Sequence, residues 1–330
     1  MNLHPQTQEF LESIGRNPAP SWQSLPLNRA RRQFVDLPER YGIGPEEVIA
    51  ADRELSLGSA AGAEHLSGRQ VPVRIYRAPT AERFTRMLGE TSGLRPACIF
   101  FHGGGWVLGD LDSHDTMCRR LALASGGVVV SVGYSRAPEA RFPEPIDDCL
   151  AAAIAVAGQG ESLGINPDEL TLIGDSAGGY LAAQVALASL EVPLISPHRL
   201  VMLYPVISPR CDTESYRRFA EGYGLTRETM QWFWSQFLGG ADAATIDRAD
   251  LLSADVSGLP PTHVVTAGYD VLRDEGLAFV EHLKAARVDV TSTEYDGTIH
   301  AFMHFGGVLD EGVEAIEAIG KLVRTQQVIC

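Results

Sequence analysis

The chain has 330 residues, 45% of them hydrophobic, which is enough to bury a large core and argues against disorder. Its 27 Lys and Arg residues against 42 Asp and Glu residues give a net charge of −15, and no basic cluster exists that would suit a nucleic-acid partner. No uncharged apolar stretch reaches membrane-spanning length and the N-terminus lacks a basic, apolar leader, so we expect a cytoplasmic protein with no membrane partner.

Five widely spaced cysteines form no C-x-x-C pair, which favours reduced and mostly buried thiols over disulfides; they are Cys98, Cys118, Cys149, Cys211 and Cys330.

The first 51 residues contain two amphipathic helical segments, 5–15 and 27–41, and no strand pattern. From Asp52 onward, short β-rich segments alternate with helical patterns, which predicts an α/β fold with a largely parallel sheet. The first two segments read as an antiparallel pair at one edge. A polar connection from Pro79 to Arg95 is predicted to be flexible. The eight predicted strands are DRELSL, VPVRIY, ACIFF, GVVVSV, LTLIG, RLVMLY, HVVTAG and VTSTEY.

An insertion of nearly fifty residues, 208–256, separates two of these strands and is rich in aromatic residues. We predict that it forms a helical cap together with residues 1–51, over a core made of residues 52–207 and 257–330. The cap is expected to shape an apolar pocket. An alternative is that its aromatic side chains, Trp232, Phe233 and Trp234, only attach it to the body.

The segment LTLIGDSAGGYLAAQ predicts a strand that turns sharply into a helix at Ser176. In the pattern G-x-S-x-G, small residues on both sides allow the turn and expose the serine hydroxyl. A glycine-rich turn that only packs a helix on a sheet is the alternative. If Ser176 is a nucleophile, it needs an imidazole to accept its proton and a carboxylate to orient that imidazole.

Candidates for both partners follow later strands, where open α/β sheets place their sites. Asp270 follows HVVTAG, and His300 follows VTSTEY. Asp274 and Glu275 are more simply an N-terminal cap and a dipole partner of the next helix. Asp296 lies too near the last strand to represent an earlier loop, and His304 lies four residues past His300.

The segment FHGGGW follows the third predicted strand, and its glycines let the backbone approach a substrate. This loop would supply an N–H donor for an oxyanion beside the N–H of Ala177. A flexible glycine turn is the alternative. Trp106 is expected near the mouth of the substrate pocket. His102, His114 and Asp115 lack the spacing of metal ligands, so no metal is predicted.

Together, HGGGW, GDSAGG, YDVLRDEG and IHAF resemble the hormone-sensitive-lipase-like esterases, bacterial family IV. The resemblance implies the α/β-hydrolase fold, with an eight-stranded, mostly parallel sheet, helices on both faces and a helical cap. It implies Ser176 as nucleophile, His300 as general base and acid, and Asp270 as orienting carboxylate. It also implies oxyanion donors at Gly103, Gly104 and Ala177.

The same resemblance implies hydrolysis of short- to medium-chain carboxylic esters through an acyl-enzyme, without a cofactor and often in a homodimer. The partner is then a small-molecule ester. Two alternatives stay open at the level of sequence. An amidase or acyltransferase would share the nucleophile and the oxyanion site, and a non-catalytic ligand receptor would share the fold.

Overall fold

A single mixed sheet organises the computed structural model, which describes residues 2–45, 47–60, 62–78, 94–192 and 194–324. Most of the connection predicted between Pro79 and Arg95 lies outside these ranges. Within them, the sheet has the order β1-β2-β4-β3-β5-β6-β7-β8. The strands are β1 (Ile49–Ser56), β2 (Gln70–Arg77), β3 (Arg95–Phe101), β4 (Val128–Val132), β5 (Ile165–Asp175), β6 (Arg199–Leu203), β7 (Thr262–Tyr269) and β8 (Val290–Ile299).

Strand β2 pairs antiparallel with both β1 and β4, and every other pair is parallel. The predicted antiparallel edge and the parallel body of the sheet are therefore confirmed. Strands β4 and β7 are buried at every residue. Since successive side chains of a strand point to opposite faces, both faces of the sheet must be covered. Strand β8 lies at the other edge of the sheet. The formation of a homodimer remains a prediction.

Helices connect the strands and also make up both predicted parts of the cap. None of them, over the described ranges, has the length and apolar character that a membrane span requires. The helices are α1 (Pro5–Gly15), α2 (Leu27–Tyr41), α3 (Asp115–Ser125), α4 (Glu144–Gly158), α5 (Gly160–Leu163), α6 (Ala177–Glu191), α7 (Glu214–Arg218), α8 (Arg227–Leu238), α9 (Ala243–Ala249), α10 (Arg273–Ala285) and α11 (Asp310–Arg324).

The N-terminal helices pack against the segment that follows β8. The ring of Phe10 in α1 lies 4.8 Å from that of Phe305 and 5.2 Å from that of Tyr41 in α2. The two predicted cap segments also touch, because the Thr229 hydroxyl of α8 donates to the Gln23 side chain at 3.3 Å. The boundaries of the cap stay predictions.

An aromatic cluster joins helix α8 to the body. The Trp106 ring stacks on Phe237 with centroids 4.2 Å apart, and it lies 4.5 Å from Trp234 and 5.4 Å from Tyr180. Trp106 is 0% exposed. The prediction that Trp106 lies near the mouth of a pocket is therefore wrong, because α8 covers the whole side chain. Trp106 offers no free surface to a ligand, and it attaches α8, a helix of the predicted cap, to the body instead.

Two glycines of the GDSAGG segment allow β5, α6 and the end of β3 to pack closely. A Cβ atom on Gly178 would overlap the carbonyl oxygen of Phe101, and one on Gly174 would overlap the carbonyl of Gly178. These contacts are with backbone, which cannot rotate away as a side chain can. Glycine is therefore required at both positions for the strand and the helix to meet at this angle.

We expect Gly178→Ala to lower the free energy of unfolding by about 3 kcal/mol or more, because an added methyl group must displace packed backbone. The control is Gly158→Ala at the end of α4, where nothing lies within 4 Å of an added Cβ. Removing glycine from a helix should leave that variant unchanged or up to about 1 kcal/mol more stable. Urea unfolding measures both, and equal effects would contradict the packing argument.

Glu275, in the first turn of α10, is 1% exposed and does not act as a helix cap. Its Oε1 accepts the N–H of Ile207 at 2.7 Å, and its buried Oε2 has no partner among the described residues. Burial, with a smaller contribution from Asp270, raises the pKa of this carboxyl well above its usual value. Burial therefore favours the neutral form of this carboxyl in the folded protein, contrary to the expectation of a charged dipole partner.

The free energy of unfolding of Glu275→Gln, relative to that of the wild type, should increase as the pH rises from 5 to 8. Above about 4.5 the unfolded wild-type chain releases this proton while the folded chain retains it, so the wild type alone loses stability. Urea unfolding at the two pH values measures the difference. The control Glu281→Gln, on the same helix with a side chain 72% exposed, should show no such pH dependence. A constant difference for Glu275→Gln would contradict the neutral state.

Candidate active site

Ser176 lies on the sharp turn between β5 and α6, in a backbone conformation that is unusual for a residue with a side chain. Its φ and ψ angles are 55° and −120°. The turn is held by the Ser176 N–H, which donates to the Leu203 carbonyl of β6 at 2.8 Å. Such strain concentrates at functional sites, where the surrounding structure imposes it. Ser176 is only 6% exposed, so its hydroxyl faces a narrow space.

The structure brings Ser176, His300 and Asp270 together at the carboxyl ends of β5, β8 and β7. His300 Nε2 lies 3.0 Å from Ser176 Oγ, and His300 Nδ1 lies 2.7 Å from Asp270 Oδ2. The other oxygen of Asp270 accepts the N–H of Leu272 at 3.0 Å. Asp270 is 2% exposed, so its carboxylate is fixed by these bonds and shielded from water. Hydroxyl, imidazole and carboxylate thus form a continuous hydrogen-bonded chain.

Tyr204, directly after β6, fixes the other side of the imidazole. Its ring meets that of His300 edge to face, with centroids 5.1 Å apart and planes at 69°. It has a positive φ of 35° and is 1% exposed. The sequence analysis did not identify Tyr204, because nothing in RLVMLY distinguishes a tyrosine that faces the site from one that packs in the core.

The glycine loop after β3 does not supply all of the donors that were predicted. The Gly103 N–H donates to Asp175 Oδ1 at 2.8 Å, so it is already engaged. This contradicts the predicted role of Gly103 as an oxyanion donor. The N–H groups of Gly104 and Gly105 have no acceptor among the described residues. Both glycines have positive φ angles, 96° and 61°.

Ala177 begins α6, and its N–H likewise has no acceptor in the described part of the chain. The first N–H groups of a helix lack an intrahelical partner and point toward an approaching anion. Free donors are therefore present at the predicted Gly104 and Ala177, and also at Gly105. The third glycine of HGGGW was the signal for Gly105.

Three side chains outside the loop hold its two ends. The Tyr134 hydroxyl donates to the His102 carbonyl at 2.7 Å, and the two rings stack 4.1 Å apart. Arg136 donates to the Gly109 carbonyl at 2.7 Å. From helix α2, Arg31 Nε donates to the Val107 carbonyl at 2.8 Å. Burial lowers the pKa of His102 to about 3, so its ring is neutral at the site.

Asp175, the residue before Ser176, carries a buried carboxylate faced by three nitrogen atoms. Beside the Gly103 N–H, His114 Nε2 lies 3.1 Å from Oδ1 and His304 Nε2 lies 3.2 Å from Oδ2. Burial alone would raise the pKa of Asp175. The two imidazoles outweigh this effect and hold the pKa well below its usual value. Burial is the largest cause that lowers the pKa of His304, and the hydrogen bond to Asp175 opposes this shift.

The same three side chains are the group that could hold a metal ion among the described residues. The donor atoms of His114, Asp175 and His304 all lie within 4.8 Å of one another. This group differs from His102, His114 and Asp115, whose spacing in the sequence did not fit a metal site. Its members come from three distant segments, so their spacing along the chain gave no signal. Their mutual contacts at hydrogen-bond distance account for the arrangement.

Comparison with known proteins agrees with this architecture. A family model described as "alpha/beta hydrolase fold" matches residues 98–304. The chain is 35% identical to the ethyl acetate hydrolase of Pseudomonas putida over 329 residues, 96% of each chain. It is 33% identical over 252 residues to the carboxylesterase NlhH of Mycobacterium tuberculosis, covering 74% of this chain and 75% of that one.

Solved structures give the same result. A thermostable esterase from Pseudomonas putida superimposes with a TM-score of 0.89 at 30% identity, covering 100% of this chain and 99% of that one. An ester hydrolase from the metagenome of Lake Arreo gives 0.86 at 34% identity, covering 98% and 99%. These likenesses extend over the whole chain, including the predicted cap. The chain therefore belongs to the hormone-sensitive-lipase-like, bacterial family IV esterases of the α/β-hydrolase fold.

Proposed function

We propose that this protein is a serine carboxylesterase that hydrolyses short- to medium-chain carboxylic esters through an acyl-enzyme. The observation that carries the proposal is the hydrogen-bonded chain from Ser176 through His300 to Asp270. A serine hydroxyl is a weak nucleophile at neutral pH unless an oriented imidazole accepts its proton. The present distances of 3.0 and 2.7 Å meet that requirement without rearrangement.

In the first half of the reaction, Ser176 Oγ attacks the ester carbonyl carbon while its proton passes to His300 Nε2. The imidazolium that forms is held by Asp270 through Nδ1. It then donates the proton to the departing alcohol as the bond between the carbonyl carbon and the alcohol oxygen breaks. In the second half, His300 accepts a proton from water as the water oxygen attacks the acyl carbon. The bond between that carbon and Ser176 Oγ then breaks while His300 returns the proton to Oγ, and the carboxylic acid leaves.

The negative oxygen of each tetrahedral intermediate would lie against free N–H groups of the glycine loop and of Ala177. Preorganised donors of this kind stabilise the transition state by about 3 kcal/mol each. Gly104 and Gly105 are available on the loop, whereas Gly103 is not. The N–H of Ala177 comes from the start of α6 and approaches from the side of the nucleophile.

Two observations favour small acyl groups. Ser176 is 6% exposed, and the Phe233 ring of α8 lies so close to Gly105 that a Cβ atom there would overlap it. The space between cap and nucleophile is therefore narrow. A similar protein is named for the hydrolysis of ethyl acetate, an ester of a two-carbon acid. We propose that acetyl to butyryl esters react best.

We also propose that the protein acts in the cytoplasm. Four of its cysteines, Cys98, Cys118, Cys149 and Cys211, are buried and unpaired, as is common where thiols stay reduced. Fractionation of cells that produce the full chain, followed by an esterase assay of each fraction, tests this location. Activity confined to a secreted or membrane fraction would contradict it.

Ser176→Ala should lower the hydrolysis rate of p-nitrophenyl acetate and butyrate by several orders of magnitude, since no other group can form the acyl-enzyme. The matched control is Ser189→Ala in α6, the helix that follows Ser176, because its hydroxyl donates to the Ala186 carbonyl and not to any residue of the site. That control should retain wild-type rates. Across acyl lengths, wild-type kcat/KM should be highest at two to four carbons. If the wild type shows no Ser176-dependent ester hydrolysis, the esterase proposal is wrong, and amide hydrolysis, acyl transfer and ligand binding are tested next.

Asp270→Asn should lower kcat by about 10⁴-fold with little change in KM. An amide N–H facing His300 Nδ1 favours the tautomer with its proton on Nε2, and that nitrogen can no longer accept the Ser176 proton. Steady-state kinetics with p-nitrophenyl butyrate measures the effect. Asp296→Asn, at an exposed position in β8, should leave kcat unchanged. A similar loss in both variants would remove Asp270 from the mechanism.

A further inference from the structure

The Asp175 carboxylate is in contact with three separate segments around the nucleophile. Its own peptide leads into Ser176. Its Oδ1 accepts the Gly103 N–H of the glycine loop at 2.8 Å. Its Oδ2 lies 3.2 Å from Nε2 of His304, in the turn Phe302–Phe305 that follows His300. Nε2 of His114, the residue before α3, lies 3.1 Å from Oδ1 and also accepts the Gly103 N–H at 3.1 Å.

We propose that Asp175, His114 and His304 form one positioning unit, which fixes the glycine-loop N–H donors relative to Ser176. Through the same carboxylate, His304 connects the glycine loop to the turn that follows His300. This inference rests on the proposed esterase function. None of the three side chains bonds to Ser176 Oγ or His300, so they act through the loop and are positioning residues.

The loop needs such a restraint because of its composition. Three consecutive glycines, Gly103 to Gly105, have the greatest backbone freedom, and two of them adopt positive φ angles. Oxyanion donors are effective only when they are already in place before the charge develops, and a displacement of about 1 Å can cost about 100-fold in rate. The Gly103 bond to Asp175 immediately precedes the free N–H of Gly104, so it sets where that donor points.

The two histidines stabilise the buried Asp175 carboxylate on which this restraint depends. An ionised carboxylate that is 2% exposed needs hydrogen-bond donors on both oxygens. Gly103 and His114 face one oxygen, and His304 faces the other. Without His304, Oδ2 would lose its partner, and the carboxylate could rotate away from Gly103. Since His304 reaches Asp175 through Nε2 alone, another N–H donor of similar length can replace it.

The experiment compares His304→Leu, which removes the donor, with His304→Gln, which places an amide N–H where Nε2 lies. The control is His282→Leu, which removes a histidine bonded to the Ala254 carbonyl away from the site. For His304→Leu we expect kcat to fall about 10- to 100-fold with KM within about twofold. For His304→Gln we expect kcat within about threefold of the wild type, and His282→Leu should keep the wild-type kcat.

A second readout is the inhibition constant of a trifluoromethyl ketone, which forms a tetrahedral adduct with an active serine. In His304→Leu this constant should rise by the same factor by which kcat/KM falls, because both depend on the oxyanion donors. If His304→Leu does not fold, the isosteric Asp175→Asn carries the same test, with the same losses expected.

Three results would overturn the proposal. The first is an unchanged kcat in His304→Leu, and the second is a loss confined to KM. The third combines two observations: His304→Gln and His304→Leu lose kcat equally, and only the wild type retains stoichiometric zinc. That result would make the cluster a metal site. Wild type and Ser176→Ala are measured in the same series. If hydrolysis does not depend on Ser176, the proposed function and the positioning role both fail, whereas Ser176-dependent hydrolysis with a normal His304→Leu removes the positioning role alone.

Discussion

The close approach of three backbone segments at the end of β5 is the constraint on which the site depends. Strand β5 turns into α6 with Ser176 at a φ of 55°, and no side chain could fit at Gly174 or Gly178. Because the turn is this tight, the serine hydroxyl and the first N–H groups of α6 point into the same space. The proposed nucleophile and part of the proposed oxyanion site are therefore produced by one local geometry, and β7 and β8 bring Asp270 and His300 to it.

A buried negative charge next to this turn would be costly without partners, yet the fold retains Asp175 there. Its carboxylate is surrounded by an amide and two imidazoles, which keep it ionised in a site that is closed to water. The charge then links the glycine loop, the nucleophile turn and the turn after His300. Electrostatics and backbone geometry thus reinforce each other around the site.

Aromatic packing attaches α8, a helix of the predicted cap, to the body of the protein beside this site. Trp106 lies in the loop that follows the glycines, and it stacks on Phe237 of α8. Arg31 of α2 bonds to the carbonyl of Val107, the next residue. Helices α8 and α2, one from each part of the predicted cap, therefore both contact the loop that follows the glycines.

The sequence by itself determined the order and type of the elements, the antiparallel edge, and Ser176, Asp270 and His300 as the side chains that meet. These follow from hydrophobic periodicity and from motifs at strand ends, which are local properties of the chain. Only the tertiary structure decided the partners of the remaining groups. It placed the Gly103 N–H on Asp175, buried Trp106 under α8, and brought His114 and His304 to the two oxygens of Asp175. Such pairings depend on which distant surfaces come into contact, and hydrogen bonds between segments far apart in the chain leave no periodic trace in the sequence.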